Sequence, residues 1–566
     1  MEVAASGCRM AQLAMVPAGA ELMGSASAVR CAAGLGWCLL LGFSGGLVAA
    51  QAQEAQVAPS VPTVKSRSRN VILDVVVTDA RGQPVRGLSA DEFTITENGT
   101  PQKIRLVDTA GEGGAAAPAD AAREPLRQTE TQPPGPGRPS GGTRTVILLD
   151  EVNVQFFDLA FARQRLEAFL RSDKAAGQPI AIMTMSKQAT ALVHDFTTDR
   201  ATLVKAVHAI PAVLTATGEG GQINGNVDFL GEMENFRRAV GVLEQLSSAL
   251  KGTTDHINVL WITSGFPGLT QTVVSGDVQS TLDRLLRGTS NLFLEARLTL
   301  YTIDPHGVQI ESSLPNHNGQ IFQGSGSGAT NINTGEELEG NVLNLSNTQA
   351  VANSMLGKLD QRTGGRMYGN MNDIDVPIAM AIEEGSSAYR VAYSPSDKNF
   401  DGRYRKIHVK VSRPGLVART RDGYFALAEP AAPSREDRKL RLEEALESPF
   451  PYEGLRVSGT LSGTAARAAV DVTVEPAGLT RTFEAGGTRR KVLVAMAAYS
   501  AGNRVLGSQV WEVEAKNGKG EEGAVRYSLP YPLPAGTARL RVAVLDANSD
   551  RVGTSEVALR SGSGGS

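Results

Sequence analysis

The chain has 566 residues, 41% hydrophobic and 20% charged, an ordinary soluble composition long enough for about three or four domains of ~100–200 residues. Lys and Arg number 56 against 59 Asp and Glu, a net charge of −3. This excludes the basic excess of a nucleic-acid binder, and aromatics at 5% leave little for base stacking. The 61 glycines and 27 prolines imply many turns and some linkers, without the Gly-X-Y period of collagen.

At the N-terminus, Arg30 precedes an uncharged run from Cys31 to Ala50 that contains Trp37-Cys38-Leu39-Leu40-Leu41. Ala50-Gln51-Ala52 follows, the small-x-small pattern of a signal-peptidase site. Residues 1–52 are therefore expected to be a signal peptide, cleaved near Ala52 to give a secreted or periplasmic chain that begins at Gln53. An uncleaved membrane anchor of similar length is the competing reading, and Met23 is an alternative start. All three cysteines (Cys8, Cys31 and Cys38) lie in this segment. The mature chain is then expected to lack disulfides, thiolate zinc sites and a cysteine nucleophile. No later stretch is long and apolar enough to span a membrane.

Residues 53–67 read as a polar linker and 68–109 as a β segment. Val71, Leu73, Val75 and Val77 alternate, and Asn98-Gly99 marks a hairpin. Residues 110–143, with Gly-Gly, Ala-Ala-Ala and Pro-Pro-Gly-Pro-Gly, form a second linker. From 144 to 385 strands and helices alternate. Apolar runs at Thr145–Leu149, Ile180–Met185, Ile257–Ile262 and Leu298–Ile303 read as strands buried on both faces. Helices are predicted at 157–172, from a Thr198-Asp199 cap to Ala209, and at 233–250, 278–296 and 349–362. Residues 307–347, rich in Gly, Asn and Ser, read as a flexible insertion. Alternation of this kind means a mainly parallel sheet covered on both faces.

Strands return at 386–428, followed by a helical linker over 429–450 whose charged helix is capped by Ser434. Residues 451–560 carry short alternating strands, as at Leu540, Val542 and Val544, and read as a C-terminal β-sandwich. A disordered tail closes the chain at 561–566. The β segments 68–109 and 386–428 each have too few strands to stand alone. They are expected to complete one sandwich together, with the α/β domain inserted between them.

Several segments resemble the bacterial, acidobacterial-type VWFA-related domain family. They are "VILDVVVTDARGQPVRGLSADEFTITENG", "VILLDEVNVQFFDLAFARQRLEAFL", "DFTTDRATLVKAV", "LEQLSSALKG", "INVLWITSGFP", "LTLYTIDPHGV" and the run from "LDQRTGGRMYGN" to "RTRDGYF". The resemblance spans roughly 68–427 and not 448–566. It implies a multidomain α/β plus all-β protein: a von Willebrand A-like, doubly wound, mainly parallel sheet flanked by Ig-like β-sandwich domains. It implies no known reaction.

A typical A domain holds a divalent cation through Asp-x-Ser-x-Ser and through a threonine and an aspartate from later loops, because a hard cation wants near-octahedral oxygens. Here the first loop is Asp150-Glu151-Val152-Asn153-Val154, so valines replace both serines, and Ser264 stands at the later aspartate position. Thr215 and Thr217 are the candidates for the threonine. The implied metal site, Asp150, Asn153 and Ser264, is degenerate and is expected to hold Mg2+ or Ca2+ weakly if at all. A partner protein is expected to meet Asp150, Glu151, Asn153, Ser264 and Asp304 at the carboxyl edge of the sheet, the ligand-binding edge of open α/β sheets. Phe156, Phe157, Phe266 and Pro267 flank that edge. The same residues also suit helix capping and loop amides, the alternative kept beside the site reading.

Other constellations are incomplete. His194-Asp195 comes without a Gly-x-Ser-x-Gly elbow. The six histidines lack His-Glu-x-x-His spacing, and Gly324–Gly328 lacks the Gly-Lys-Ser/Thr ending of a phosphate loop. Asn98-Gly99-Thr100 matches a glycosylation sequon, which an Asn-Gly turn explains better. The expectation is an exported, non-enzymatic protein-binding or adhesion-type module. The alternative is a structural or assembly component of the cell envelope whose sandwiches bind and whose A domain is a scaffold.

Overall fold

A computed structural model of the chain describes residues 11–14, 70–109, 142–211 (except 176), 229–265 (except 254), 287–306, 356–428 (except 358, 370 and 372), 433–464, 467–517 (except 481, 485 and 486) and 524–559. The leader beyond residues 11–14, the linkers 53–67 and 110–141, the insertion 307–347, Thr215, Thr217, Phe266, Pro267 and the tail 561–566 lie outside these residues.

In chain order, strand β1 (Ala11–Ala14) is followed by β2 (Val71–Thr78), β3 (Phe93–Glu97), β4 (Thr100–Gln102) and β5 (Ile104–Thr109). The α/β region runs through β6 (Thr143–Asp150), α1 (Phe156–Arg171), β7 (Ile180–Met185), β8 (Thr190–Thr197), α2 (Arg200–Ala209), α3 (Phe229–Leu250), β9 (His256–Ile262), β10 (Leu298–Ile303) and β11 (Met367–Tyr368). Residues 287–295 are also helical. Next come α4 (Asp375–Ser387), β12 (Tyr389–Tyr393), β13 (Tyr404–Val411), β14 (Val417–Arg419), β15 (Gly423–Phe425) and α5 (Arg435–Glu447). The last region holds β16 (Val457–Ser462), β17 (Ala469–Val474), β18 (Thr482–Glu484), β19 (Gly487–Tyr499), β20 (Val505–Asn517), β21 (Val525–Pro530), β22 (Arg539–Asp546) and β23 (Val552–Val557).

The α/β sheet has six strands in the order β11-β10-β9-β6-β7-β8. All neighbours are parallel except β7 and β8. Every residue of β6, β7, β9 and β10 is buried, as a sheet covered on both faces requires. On one face Ile147, Leu149, Ile180 and Ile182 pack against Leu166, Phe169 and Leu170 of α1, Leu203 and Val207 of α2, and Ile378 and Ile382 of α4. On the other, Val146, Ala181 and Met183 meet Leu246 and Leu250 of α3. Asp199 caps α2 by accepting from the Ala201 amide at 3.0 Å. Helix α4 lies so close to the sheet that a Cβ on Gly385 would fall 1.9 Å from the Asn258 side chain. Asn258 Nδ2 donates to Ala381 O at 3.2 Å there.

Two four-stranded sheets, β14-β2-β12-β5 and β15-β13-β3-β4, are each built from strands of both 71–109 and 389–425. Strand β12 sits between β2 and β5, antiparallel to both. The β3–β4 turn has Asn98 at φ 48° and Gly99 at φ 81°, the left-handed pair that a two-residue hairpin needs. Leu73, Val75, Ile95, Val391, Tyr393 and Val409 fill the space between the sheets.

One polar cluster lies inside that core. The Arg405 guanidinium donates to Glu97 Oε1 at 3.0 Å, and the hydroxyls of Tyr393 and Tyr424 donate to Oε2 at 2.6 and 3.1 Å. Glu97 and Arg405 are both buried. Burial and the Glu97 carboxylate hold the Tyr393 hydroxyl far above its ordinary range.

Further ion pairs tie this sandwich to the α/β region. Arg297, ahead of β10, pairs with Asp74 of β2. Burial alone would raise the Asp74 carboxyl, but the charge and hydrogen bond of Arg297, together with His256 and Arg390, hold the group below its ordinary value. The buried Glu384 of α4 meets both Arg366 and Arg419.

The C-terminal region is a second pair of sheets, one in the order β1-β20-β19-β22-β23 with β18 on β19, the other β16-β17-β21. Its strands are not all short, because β19 and β20 form a hairpin of 13 residues a side. Val492, Val494, Met496, Trp511, Val542 and Val544 make its core. Helix α5, with a capping box between Ser434 and Asp437, packs on β19, β22 and β23. Arg541 donates to the Leu446 and Ser448 carbonyls at 2.8 and 2.5 Å, which satisfies the end of that helix.

Breaking a buried ion pair by removing one partner leaves an uncompensated charge. Glu97→Ala is expected to cost about 3–5 kcal/mol in chemical denaturation. Arg413→Ala, which breaks a half-exposed pair with Glu92, is expected to cost less than about 1 kcal/mol. Equal costs would mean that the Glu97 cluster does not hold the sandwich.

Candidate functional site

Strands β6, β9 and β10 end side by side, and the chain leaves them through Asp150, through Thr263-Ser264 and through Asp304. The four sequence-predicted loop residues Asp150, Asn153, Ser264 and Asp304, with Glu151, therefore share the carboxyl edge. Their exposures differ sharply.

Asp150 is fully buried. Its Oδ1 accepts from the amides of Val152 and Asn153, both at 3.0 Å. Its Oδ2 accepts from Asn153 Nδ2 at 2.8 Å, Thr263 Oγ1 at 2.8 Å and Trp261 Nε1 at 3.2 Å. Burial pushes this carboxyl above its ordinary value, and the hydrogen bonds only partly oppose the rise. The carboxylate thus folds its own loop and ties it to the end of β9. Ser264 is also buried.

These residues do not fit a divalent cation. Donor hydrogens approach both Asp150 oxygens from five groups, where a cation would need free lone pairs. The side chains of Val152 and Val154 bring no oxygen, and Asn153 donates its Nδ2 to Asp150. Among the described residues no group of three or more His, Cys, Asp or Glu side chains is placed to hold a metal.

Asp304 is buried. Its Oδ1 accepts from the His306 amide at 3.1 Å and lies 2.7 Å from His306 Nδ1. The other ring nitrogen, Nε2, is 3.5 Å from Asp158 Oδ2 in the first turn of α1. His306 is held above the ordinary histidine value near 6.5, chiefly by the Asp304 hydrogen bond and against desolvation. Burial raises Asp158 in turn. His306 and Asp158 escape sequence reasoning. The only signal is Asp304-Pro305-His306, an i, i+2 spacing at a strand end.

The accessible part of the edge is different again. Glu151 is half-buried, and burial raises its carboxyl while Arg163 opposes the rise. Phe157 is 79% exposed on the first turn of α1. Its ring meets Phe156 edge to face, with centroids 5.6 Å apart. His194 lies elsewhere, on β8, and its Nδ1 contacts the Asp195 backbone oxygen at 2.6 Å rather than a carboxylate. His256 is fully buried, with Nε2 2.9 Å from Thr299 Oγ1.

No family model and no curated protein matches the chain. Among solved structures it is similar to an aerotolerance-related membrane protein from Bacteroides fragilis NCTC 9343 carrying multiple mutations to serines. The identity is 14%, over 43% of this chain and 98% of that one, with a TM-score of 0.22. It is also similar to the TFIIH p34 N-terminal domain at 12% identity, over 29% of this chain and 80% of that one, with a TM-score of 0.17. Likenesses at this level carry no conclusion about activity. No helix among the described residues is long and apolar enough to cross a membrane.

Two outcomes are expected. Calorimetric titration with Mg2+ should show no tight site, whereas submicromolar binding lost in Asp150→Ala would place a cation against Asp150. The second outcome concerns pH. A histidine whose folded value is raised stabilises the fold fully below its unfolded value and loses that contribution as pH rises through the folded value. His306→Gln should therefore lower stability most below about pH 6.5 and progressively less above it. A deficit independent of pH would mean that His306 acts through packing alone.

Proposed function

We propose that the chain is an exported, non-enzymatic protein-binding module of the von Willebrand A-like type, and that its α/β domain meets a partner at the carboxyl edge without a bridging cation. The observation that carries this reading is Phe157, 79% exposed on the first turn of α1, against Phe156 and next in the chain to the half-buried Asp158. A large aromatic next to a polar rim is the composition of an interface anchor. Rigid strands beneath variable loops suit such a site.

Within this reading the five sequence-predicted residues divide the work. Glu151 and the Phe156–Phe157 pair face the partner. Asp150, Asn153 and Ser264 hold the loops in shape, and Asp304 with His306 and Asp158 sets the local charge. An acidic rim without a cation favours a basic group on the partner rather than a carboxylate.

Capture of partners from an envelope extract should distinguish this role from that of a scaffold. Phe157→Ala and Glu151→Lys are expected to reduce capture at least tenfold, with a change in stability of less than about 0.5 kcal/mol for surface substitutions. Replacing Asp304 would be uninformative, because its buried carboxylate holds His306. Unchanged capture by both variants, with loss on deletion of 448–566, would move the binding function to the C-terminal sheets.

A further inference from the structure

Strand β20 is 13 residues long and forms its ladder with β19 along one side, from Thr488↔Asn517 to Tyr499↔Val505. On its other side, among the described residues, only β1 pairs with it. That pairing is antiparallel and short: Ala11 faces Glu512, Gln12 faces Trp511, Leu13 faces Val510 and Ala14 faces Gln509. An edge strand exposes a row of backbone donors and acceptors, and proteins usually defend such rows with charge, proline, a bulge or a short strand. Here those defences are weak. Residues Val505 to Trp511 carry no charge, and no proline interrupts β20. The ladder irregularity lies at the far hairpin end, between Ala498 and Tyr499. The charge of Glu512 is already answered by Lys491 and by Arg435 at 3.3 Å.

The Tyr531 hydroxyl donates to the Gly507 carbonyl at 2.8 Å, and Pro534 covers the sheet face at Gly507, 3.3 Å from where a Cβ would lie. The pairing with β1 ends at Gln509. Beneath that stretch Val510 and Trp511 are buried, so the backbone receiving the added strand is rigid.

We propose that the outer edge of β20 is a strand-acceptor site. Its occupant is an extended, uncharged, proline-free segment of a partner protein, bound antiparallel in the register that Ala11–Ala14 takes here. The seated segment, Ala-Gln-Leu-Ala, defines that chemistry: no charge, no proline, and main-chain hydrogen bonds as the source of affinity. Removal of the leader expected from the sequence takes β1 away and opens the edge, so residues 11–14 act as a plug. This site is separate from the carboxyl edge of the α/β domain and stands whether or not that edge binds a partner.

The test uses the full chain, the full chain carrying Leu13→Pro, and a fluorescein-labelled synthetic peptide of residues 9–16. Proline cannot donate to a ladder, so Leu13→Pro unseats the plug without touching β20. Fluorescence anisotropy should show the peptide binding the variant at least tenfold more tightly than the unaltered chain, with amide exchange over residues 509–512 slowed by the peptide. The same peptide carrying Leu13→Pro should not bind. A chain beginning at Gln53, which lacks β1 outright, should behave like the variant and keeps the test decisive if the substitution leaves the plug in place. Failure of the peptide to bind the Gln53 chain overturns the proposal. So does equal binding of the proline peptide, which would indicate side-chain adhesion rather than strand addition. A Gln53 chain that dimerises and excludes the peptide would assign the edge to a second copy and overturn the proposal as stated.

Discussion

One buried carboxylate ties together the strands of the sandwich built from residues 71–109 and 389–425. Glu97 leaves β3 and receives hydrogen bonds from Tyr393 on β12, Arg405 on β13 and Tyr424 on β15. A buried pair adds little over apolar packing but makes every mismatched arrangement costly. A strand that slips by one residue turns its side chains to the opposite face, which would strand Glu97 or Arg405 without its partner. Two chain segments far apart in sequence are thereby locked in a single register. The α/β region joins this sandwich at its C-terminal end, where α4 runs through Ala388 directly into β12.

The carboxyl edge inherits this rigidity and uses it in an unexpected way. At the end of β6 the Asp150 carboxyl is a hub for five donors. Its oxygens organise the loop from Glu151 to Val154, and the loop in turn sets where α1 begins. The exposed Phe157 is placed by that chain of contacts. The edge carries a rim of aromatic and acidic groups, with an imidazole between two carboxylates behind it.

Much of this is legible in the residues because it is local. Period-two alternation marks Val71 to Val77 and Leu540 to Val544, and unbroken apolar runs mark the strands ending at Asp150, Met185, Ile262 and Ile303. Ser434 and Asp199 announce the helices they cap, and Asn98-Gly99 announces its turn. Legibility ends where partners are distant. That Val152 and Val154 cannot ligate a cation is plain from their chemistry. That Asp150 meets Trp261 and Thr263, 111 and 113 residues away, follows only from strand order. The His306–Asp158 approach likewise depends on β10 ending beside the start of α1. The length of the β19–β20 hairpin was hidden for another reason: its outer face carries Lys491, Glu512 and Glu514, and that mixed polarity blurs the alternation at its far end.

A sandwich assembled from both flanks of another domain also has a history in time. Glu97 and Tyr393 are 296 residues apart. At a synthesis rate of ~5–20 residues per second, β2 to β5 exist for roughly 15–60 s before β12 emerges. Through that interval β2 lacks both of its sheet neighbours, β12 and β14, while the α/β sheet is being completed around its own local contacts. Strands β2 to β5 are made long before the strands that close them, and for that period their apolar faces depend on whatever holds nascent chains apart.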